Sequence, residues 1–543
     1  MVMIGRRSMA AIRCNQGSRA AAMLASGLLV VSTAWTASAR ADEAACSALK
    51  TAGRYAATTV SSAHYAHAGT PSLPGAPPLP AYCEVTAEIA PVEGSHIGVV
   101  YRLPDRWNGK LLGLGGGGLS GFVALPFAAE GLARGYATLQ TDTGHPPAAT
   151  PAAAVDGSWI ADDDGHFNWP AIEDFAHRAV HLMTVVGKEM AVGYYGRPPA
   201  HAYFEGCSTG GRQGLVEAER YPGDYDGVVA GAPTLTLQTR WLLRARPFRT
   251  PDARVAPAQL TRLAAAATAA CDALDGLEDG LVADPRACSW QPTALSCAAA
   301  GADAATCLSP KQIGAVEDVY AGVTANGRVI GQPEMRGGEA GWLFATGADD
   351  RFLVQPKVRA VSLGGFEVDA DALTPSELDA RISSSRLAAM YDADNPDLGT
   401  FARAGGKLIV YQGWLDSLAS PPATAELYGA MEKTMARAGY DLRDNARLFM
   451  MPGVGHCGGG PGPARADFLG ALEAWVEQGR APDAILARRV PASPLLVNPL
   501  PTPDSSPLER PLCPYPQQAR YHGGDPAQAA SFRCESPARR TRQ

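Results

Sequence analysis

Past Val31 the chain has no apolar run approaching the ~20 residues needed to cross a bilayer, so the later segments exclude a membrane-spanning helix. It also lacks a basic run in any segment that reads as core. The formal charge is −7, from 47 basic and 54 acidic residues. That mild imbalance argues against nucleic acid as the main partner, and the basic "RRTRQ" end, Arg539 to Gln543, reads as a solvated tail. No internal repeat is visible. Only 19% of residues are charged, against 46% apolar. This is ordinary globular composition, and 543 residues suffice for one large domain with an insertion, or for two domains.

What is present begins at the N-terminus. Arg6, Arg7 and Arg13 precede the modest apolar run "AAAMLASGLLVV", Ala20 to Val31, and small residues follow at Ala37 to Ala41. Positive, apolar, then small is the layout of a secretory signal peptide, with cleavage after Ala39 or Ala41. A membrane anchor is the competing reading, and the run is too short for it. The Arg6-Arg7 pair leaves the twin-arginine and general routes both open. We therefore expect residues 1–41 to be a leader and the mature protein to be exported, either periplasmic or secreted. Of eleven cysteines, Cys14 falls in that leader. The ten that remain are an even number, as a disulfide-bonded exported protein requires.

Residues 42–110 read as a turn-rich entry region, with "SHIGVVYRLP" as a strand. From "KLLGLGGGGLSG" onward strands and helices alternate. "YATLQTDTGH" reads as a strand, and so do "HAYFEGCS" and "YDGVVAGAP". "GRQGLVEAERYP" reads as a helix. In Asp174 to Gly196, Phe175, Val180, Met183, Val186 and Met190 share one helical face. The alternation fades between about residues 235 and 400 and resumes at "GGKLIVYQGWLD" and "NARLFMMPGVGHC". This pattern predicts an α/β fold with a parallel sheet covered on both faces. Its catalytic domain is expected to comprise residues 42–234 and 400–535, with 235–399 as an inserted lid.

"GCSTG", Gly206 to Gly210, matches G-x-S-x-G between a strand and a helix. Small flanking residues permit the sharp turn that exposes Ser208 and aims the first helical N–H groups at a reacting carbonyl. A plain strand–helix turn is the competing reading of the pentapeptide alone. A serine nucleophile needs a base, and the base needs an orienting carboxylate. In an α/β-hydrolase the chain order is Ser, Asp, His. Asp416 and His456 both follow predicted strands. Of the later histidines, only His522 competes, and it reads as lying in a tail with no strand before it. Cys207 precedes Ser208 and Cys457 follows His456. If serine and histidine meet, these cysteines can meet too, tying the two loops together.

"CDALDGLEDGLV", Cys271 to Val282, sets Asp272, Asp275 and Asp279 close together with two glycines. Three neighbouring carboxylates repel unless a hard cation neutralises them, and oxygen ligands suit calcium, with the carbonyls of Leu277 and Leu281 available. A solvated acidic turn is the competing reading. Ala283 stands where an EF-hand would have its twelfth-position glutamate.

The Cys-Ser, Asp, His-Cys arrangement closely resembles the tannase and feruloyl esterase family. So do "WNGKLLGLGGGGLSG", "YYGRPPAHAYFEGCSTGGRQGLVEAERYPGDYDGVVAGAP", "CDALDGLEDGLV", "DNPDLGTFARAGGKLIVYQGWLDSLASP" and "MPGVGHCGGGPG". The likeness runs from about residue 42 to 535 and is weakest in the lid. It implies an α/β-hydrolase fold and a serine carboxylic-ester hydrolase acting on small aromatic esters, of feruloyl, hydroxycinnamoyl or galloyl type. Half-esters like mono(2-hydroxyethyl) terephthalate are the alternative substrate within the family; an acyltransferase or an inactive binding homologue are alternatives of other classes. It implies Ser208, Asp416 and His456 as the triad. Thr209 N–H is then one oxyanion donor, with Gly117 chosen for the other from the four glycines. It implies a structural Ca2+ at the aspartate loop. The loop is bracketed by Cys271 and Cys288, taken as a pair. The family pattern further suggests Cys46–Cys83, Cys297–Cys307 and Cys513–Cys534. Two departures bear on substrate choice. Gln412 stands where many relatives carry histidine, and "DDRFLVQPKVRAVSLGG" lacks the aromatic-rich "FFRYLVF"-like stretch of the family's lid.

Overall fold

A computed structural model describes residues 41–51, 54–69, 71–73, 76–147, 154–236, 238–299, 301–347, 355–491, 500 and 506–537. Apart from Ala41, the leader expected at residues 1–41 lies outside the described residues, as does the "RRTRQ" end. No helix among the described residues is long and apolar enough to cross a membrane.

One nine-stranded sheet organises the chain. Its strands are β1 (Thr58–Ala66), β2 (Tyr82–Ile89), β3 (Ile97–Pro104), β4 (Lys110–Leu114), β5 (Ala137–Thr141), β6 (His201–Cys207), β7 (Gly227–Gly231), β8 (Lys407–Gly413) and β9 (Ala446–Met451). They lie in the order β1-β2-β3-β5-β4-β6-β7-β8-β9. The strands β5, β4, β6, β7, β8 and β9 run parallel, and β1, β2 and β3 extend the sheet antiparallel. The region read as turn-rich entry thus contributes three full strands. β1, "TTVSSAHYA", is polar and only partly buried. An edge strand of that composition gives no apolar run to read.

The parallel strands are buried on both faces because helices cover both. Successive residues divide between two cores, as a period of two demands. Leu111, Phe204, Val228 and Val410 join the core beneath α1 (Ala179–Tyr195). Leu112, Tyr203, Val229 and Ile409 join the core with Leu472 and Trp475 of the helix Phe468–Gln478. The helix predicted from Asp174 begins with a π turn over Asp174–Arg178 and becomes regular at Ala179. All five of its predicted apolar positions are buried. Phe175, inside the π turn, packs in a different cluster from the other four, with Tyr391 and Leu387.

The chain leaves the sheet after β7 and returns at β8. Between them lie short helices, among them α2 (Pro257–Cys271), and one small hairpin of Val323–Ala325 with Arg328–Gly331. The tail corrects one expectation: a strand, Gln518–Tyr521, does precede His522. It pairs with Phe532–Glu535 in a separate two-stranded ribbon, and His522 Nε2 meets Glu535 there. A ribbon outside the main sheet cannot serve as a strand end of the α/β site.

Candidate active site

β6 delivers Ser208 to a turn that runs straight into the helix Thr209–Arg220, with Ser208 as its N-cap. Its φ of 65° and ψ of −122° are costly for a residue with a side chain, so the surrounding structure must hold them. It does so through the backbone. Ser208 N–H donates to Gly231 O at 2.9 Å, and Ser208 O accepts from Arg212 N at 3.0 Å and Thr234 N at 3.3 Å. The flanking glycines permit close backbone approach. A Cβ on Gly206 would lie 2.6 Å from the Gly210 carbonyl, and one on Gly115 would lie 2.5 Å from the Gly210 Cα.

Two other strand ends supply the partners. Asp416 follows β8 and is fully buried, while His456 follows β9. His456 Nδ1 lies 2.8 Å from Asp416 Oδ2. The other oxygen, Oδ1, accepts from Leu418 N at 2.8 Å and Ala419 N at 2.9 Å. A disulfide joins Cys207 to Cys457, Cα to Cα 5.9 Å, across 250 residues of sequence. The residue after one cysteine is Ser208 and the residue before the other is His456. Cys457 is also left-handed, φ 60°, so strained backbone stands at Cys457 itself and, on the other side of the bond, at Ser208 next to Cys207.

The glycine run lies against this turn, because Thr209 Oγ1 donates to Gly118 O at 2.6 Å. Three of its four N–H groups are occupied. Gly115 donates to Glu205 O, Gly116 to Gln213 Oε1 and Gly117 to Ser120 O. Gly117, the expected second oxyanion donor, has its N–H turned back to Ser120 O, and among the described residues Gly118 N–H is the one in the run without a protein acceptor. The reversal at Ser120 that consumes the Gly117 donor carries no sequence signal.

In the aspartate loop, Asp272 accepts from Asp279 N and Gly280 N. Asp275 accepts from Leu277 N, and Asp279 from Leu281 N. Burial, with the nearby charges of Asp279 and Asp272, pushes Asp275 up to about 6. Burial also raises Asp279, although Arg510 pairs with it and opposes the rise. Arg510 is a partner that sequence reading missed, 231 residues away. Among the described residues, the group whose metal-ligating atoms all lie within 4.8 Å of one another is a different one: the exposed Asp162, Asp164 and His166. The remaining cysteines among the described residues are bonded as Cys46–Cys83, Cys271–Cys288, Cys297–Cys307 and Cys513–Cys534.

Known proteins resemble this chain over most of its length. The family model described as tannase and feruloyl esterase matches residues 83–340 and 350–535. A probable feruloyl esterase of Arthroderma benhamiae is 32% identical, over 84% of this chain and 88% of its own. The mono(2-hydroxyethyl) terephthalate hydrolase of Piscinibacter sakaiensis is 32% identical over 92% of each chain. The crystal structure of feruloyl esterase B from Aspergillus oryzae superposes with a TM-score of 0.77 at 28% identity, over 91% of this chain and 99% of that one. A nucleophile-type turn braced to a histidine loop on an α/β sheet thus stands in a chain that belongs to the tannase and feruloyl esterase family, and it is a carboxylic ester hydrolase.

Proposed function

We propose that this protein is an exported serine esterase that cleaves esters of aromatic acids through an acyl-enzyme. The observation that carries the reading is the buried Asp416–His456 pair, fastened to the Ser208 turn by the Cys207–Cys457 bond. Ser208 Oγ attacks the ester carbonyl and His456 Nε2 takes its proton. Asp416 holds Nδ1 and stabilises the imidazolium. Thr209 N–H and Gly118 N–H receive the oxyanion. His456 returns the proton to the departing alcohol, and water activated by the same imidazole then releases the acid.

An aromatic acyl group is favoured by a small apolar cavity whose lining begins at Leu119, the residue after Gly118. There Leu119, Trp159, Phe175, Leu387 and Tyr391 line a wholly apolar pocket. Residues 235–399, which contribute Leu387 and Tyr391 to it, act as the lid in this reading. Near-full-length similarity to the terephthalate half-ester hydrolase makes such half-esters the second substrate reading.

We also propose a structural calcium ion. The loop offers only oxygen donors, the carboxylates of Asp272, Asp275 and Asp279 and the carbonyls of Leu277 and Leu281. Asp275 is raised chiefly by burial, with the charges of Asp279 and Asp272 adding to the rise, and a divalent cation would favour its ionised form against both. These residues would hold the ion, and it would supply stability to the loop rather than chemistry. Five disulfides fit the exported location.

The test is a hydrolysis assay on methyl ferulate, methyl gallate and the terephthalate half-ester, with Ser208→Ala alongside. Turnover of at least one ester, abolished in the variant, is expected. Undiminished turnover by Ser208→Ala would remove the serine mechanism.

A further inference from the structure

Asp416 Oδ2 serves two donors. One is His456 Nδ1, and the other is Gln412 Nε2, also at 2.8 Å. Gln412 sits near the end of β8 and is completely buried. A carboxylate can only accept, so the amide must turn its nitrogen toward Asp416. That leaves Gln412 Oε1 as an acceptor, and Thr424 Oγ1 donates to it at 3.0 Å from the helix Pro421–Arg437. The second amide hydrogen reaches the Ala419 carbonyl at 3.3 Å. Both ends of the side chain are thus fixed. With Leu418 N and Ala419 N on Oδ1, Asp416 collects four donors.

We propose that Gln412 is a positioning residue of the triad: a donor that cannot titrate, which locks the Asp416 carboxylate so that Oδ2 faces His456 and which shares its negative charge. This rests on the triad reading above. Among the described residues, Asp416 meets His456 directly, and its charge reaches Glu334, which is paired with Arg244. Asp416 adds to the rise of Glu334, whose main cause is burial. Because an amide neither gains nor loses a proton, the donor on Asp416 persists across the working pH range.

Three variants test this, assayed as pH profiles of kcat and KM on a 4-nitrophenyl ester. Gln412→Leu removes the donor. We expect kcat to fall 10- to 100-fold with KM nearly unchanged. The acid limb should move to higher pH, because an Asp416 with one donor fewer attracts the imidazolium proton more strongly. Gln412→Glu keeps the shape, but it donates only while protonated. Its activity should therefore decline with rising pH across the range where the wild type is flat. Thr424→Val frees the amide oxygen, and a smaller loss of kcat in the same direction is expected. If Gln412→Leu does not fold, the other two variants carry the test. Wild-type kcat and an unmoved pH profile in Gln412→Glu would overturn the proposal. So would losses that follow melting temperature alone and show no change in pH dependence. Ser208→Ala in the same series separates the two readings: an active Ser208→Ala discards the triad, whereas an inactive one beside a wild-type-like Gln412→Glu discards only the role of Gln412.

Discussion

Two regions near disulfides hold their carboxylates in opposite ways, one fully buried and one partly buried. Asp416, beside the Cys207–Cys457 bond, collects four hydrogen-bond donors and faces a histidine. Asp275, within the Cys271–Cys288 loop, collects one backbone N–H from Leu277 and faces two more carboxylates. The first is satisfied by protein groups alone. The second is raised mainly by burial, with the charges of Asp279 and Asp272 adding to the rise and Arg520 opposing it. Buried charge is tolerated only where donors or counter-ions meet it. In the aspartate loop Arg510 meets Asp279 while Asp275 accepts from the Leu277 N–H, whereas both oxygens of Asp416 are met by donors.

The largest expected effect falls on the satisfied loop. Ser208→Ala and His456→Ala should each cut kcat by about 10⁴-fold or more, and the double variant should lose little beyond either one. Near-wild-type turnover in His456→Ala would dissolve the comparison. Next come the braces themselves. By the chain-entropy relation, closing 250 residues contributes about 5 kcal/mol and closing 17 about 3 kcal/mol, before native strain is subtracted. Both double alanine variants should therefore melt lower. Only Cys207→Ala/Cys457→Ala should also lose kcat, by about 100-fold, because a small misplacement of base and nucleophile is that costly. Equal kcat in the two double variants would show that the catalytic brace is merely structural.

Chelation is the milder perturbation. It should lower Tm and leave kcat unchanged at temperatures where the protein stays folded, since an ion bound only by the native state stabilises it by mass action. An unmoved Tm after exhaustive chelation would return the aspartate loop to a solvated turn. The smallest effect belongs to Asp275→Asn. The folded carboxyl lies near 6, above its ordinary 3.8, so the metal-free native state binds more protons than the unfolded chain between those values. Its stability falls as pH rises through that window. The amide removes this loss, so metal-free Asp275→Asn should melt above the metal-free wild type at pH 7, by on the order of a degree or two, and should gain less from added calcium. A lower Tm in the metal-free variant would contradict the repulsion.

The triad candidates were legible because chemistry and topology constrain them together. A serine in G-x-S-x-G between strand and helix, and an aspartate and a histidine after later strands, leave little freedom once the chain order is known. The helix spacing from Val180 to Met190 was legible for the same reason, since its apolar face repeats. Other features depend on three-dimensional returns of the chain. Gly118 rather than Gly117 offers the free N–H because Ser120 folds back onto Gly117. Arg510 reaches Asp279 from far along the chain. The strand before His522 belongs to a ribbon whose partner, Phe532–Glu535, is equally short. The role of Gln412 is set by a side-chain conformation that no spacing encodes.

The Cys207–Cys457 bond also changes what a protease can do to this protein. Every peptide bond between Ser208 and His456 lies inside a covalently closed ring. A single cut anywhere in that stretch, the whole of residues 235–399 included, opens the ring without releasing a fragment. The serine on one side and the histidine on the other stay attached through sulfur, one bond from each. The nicked chain thus remains a single molecule, with the Ser208 turn and the His456 loop still joined.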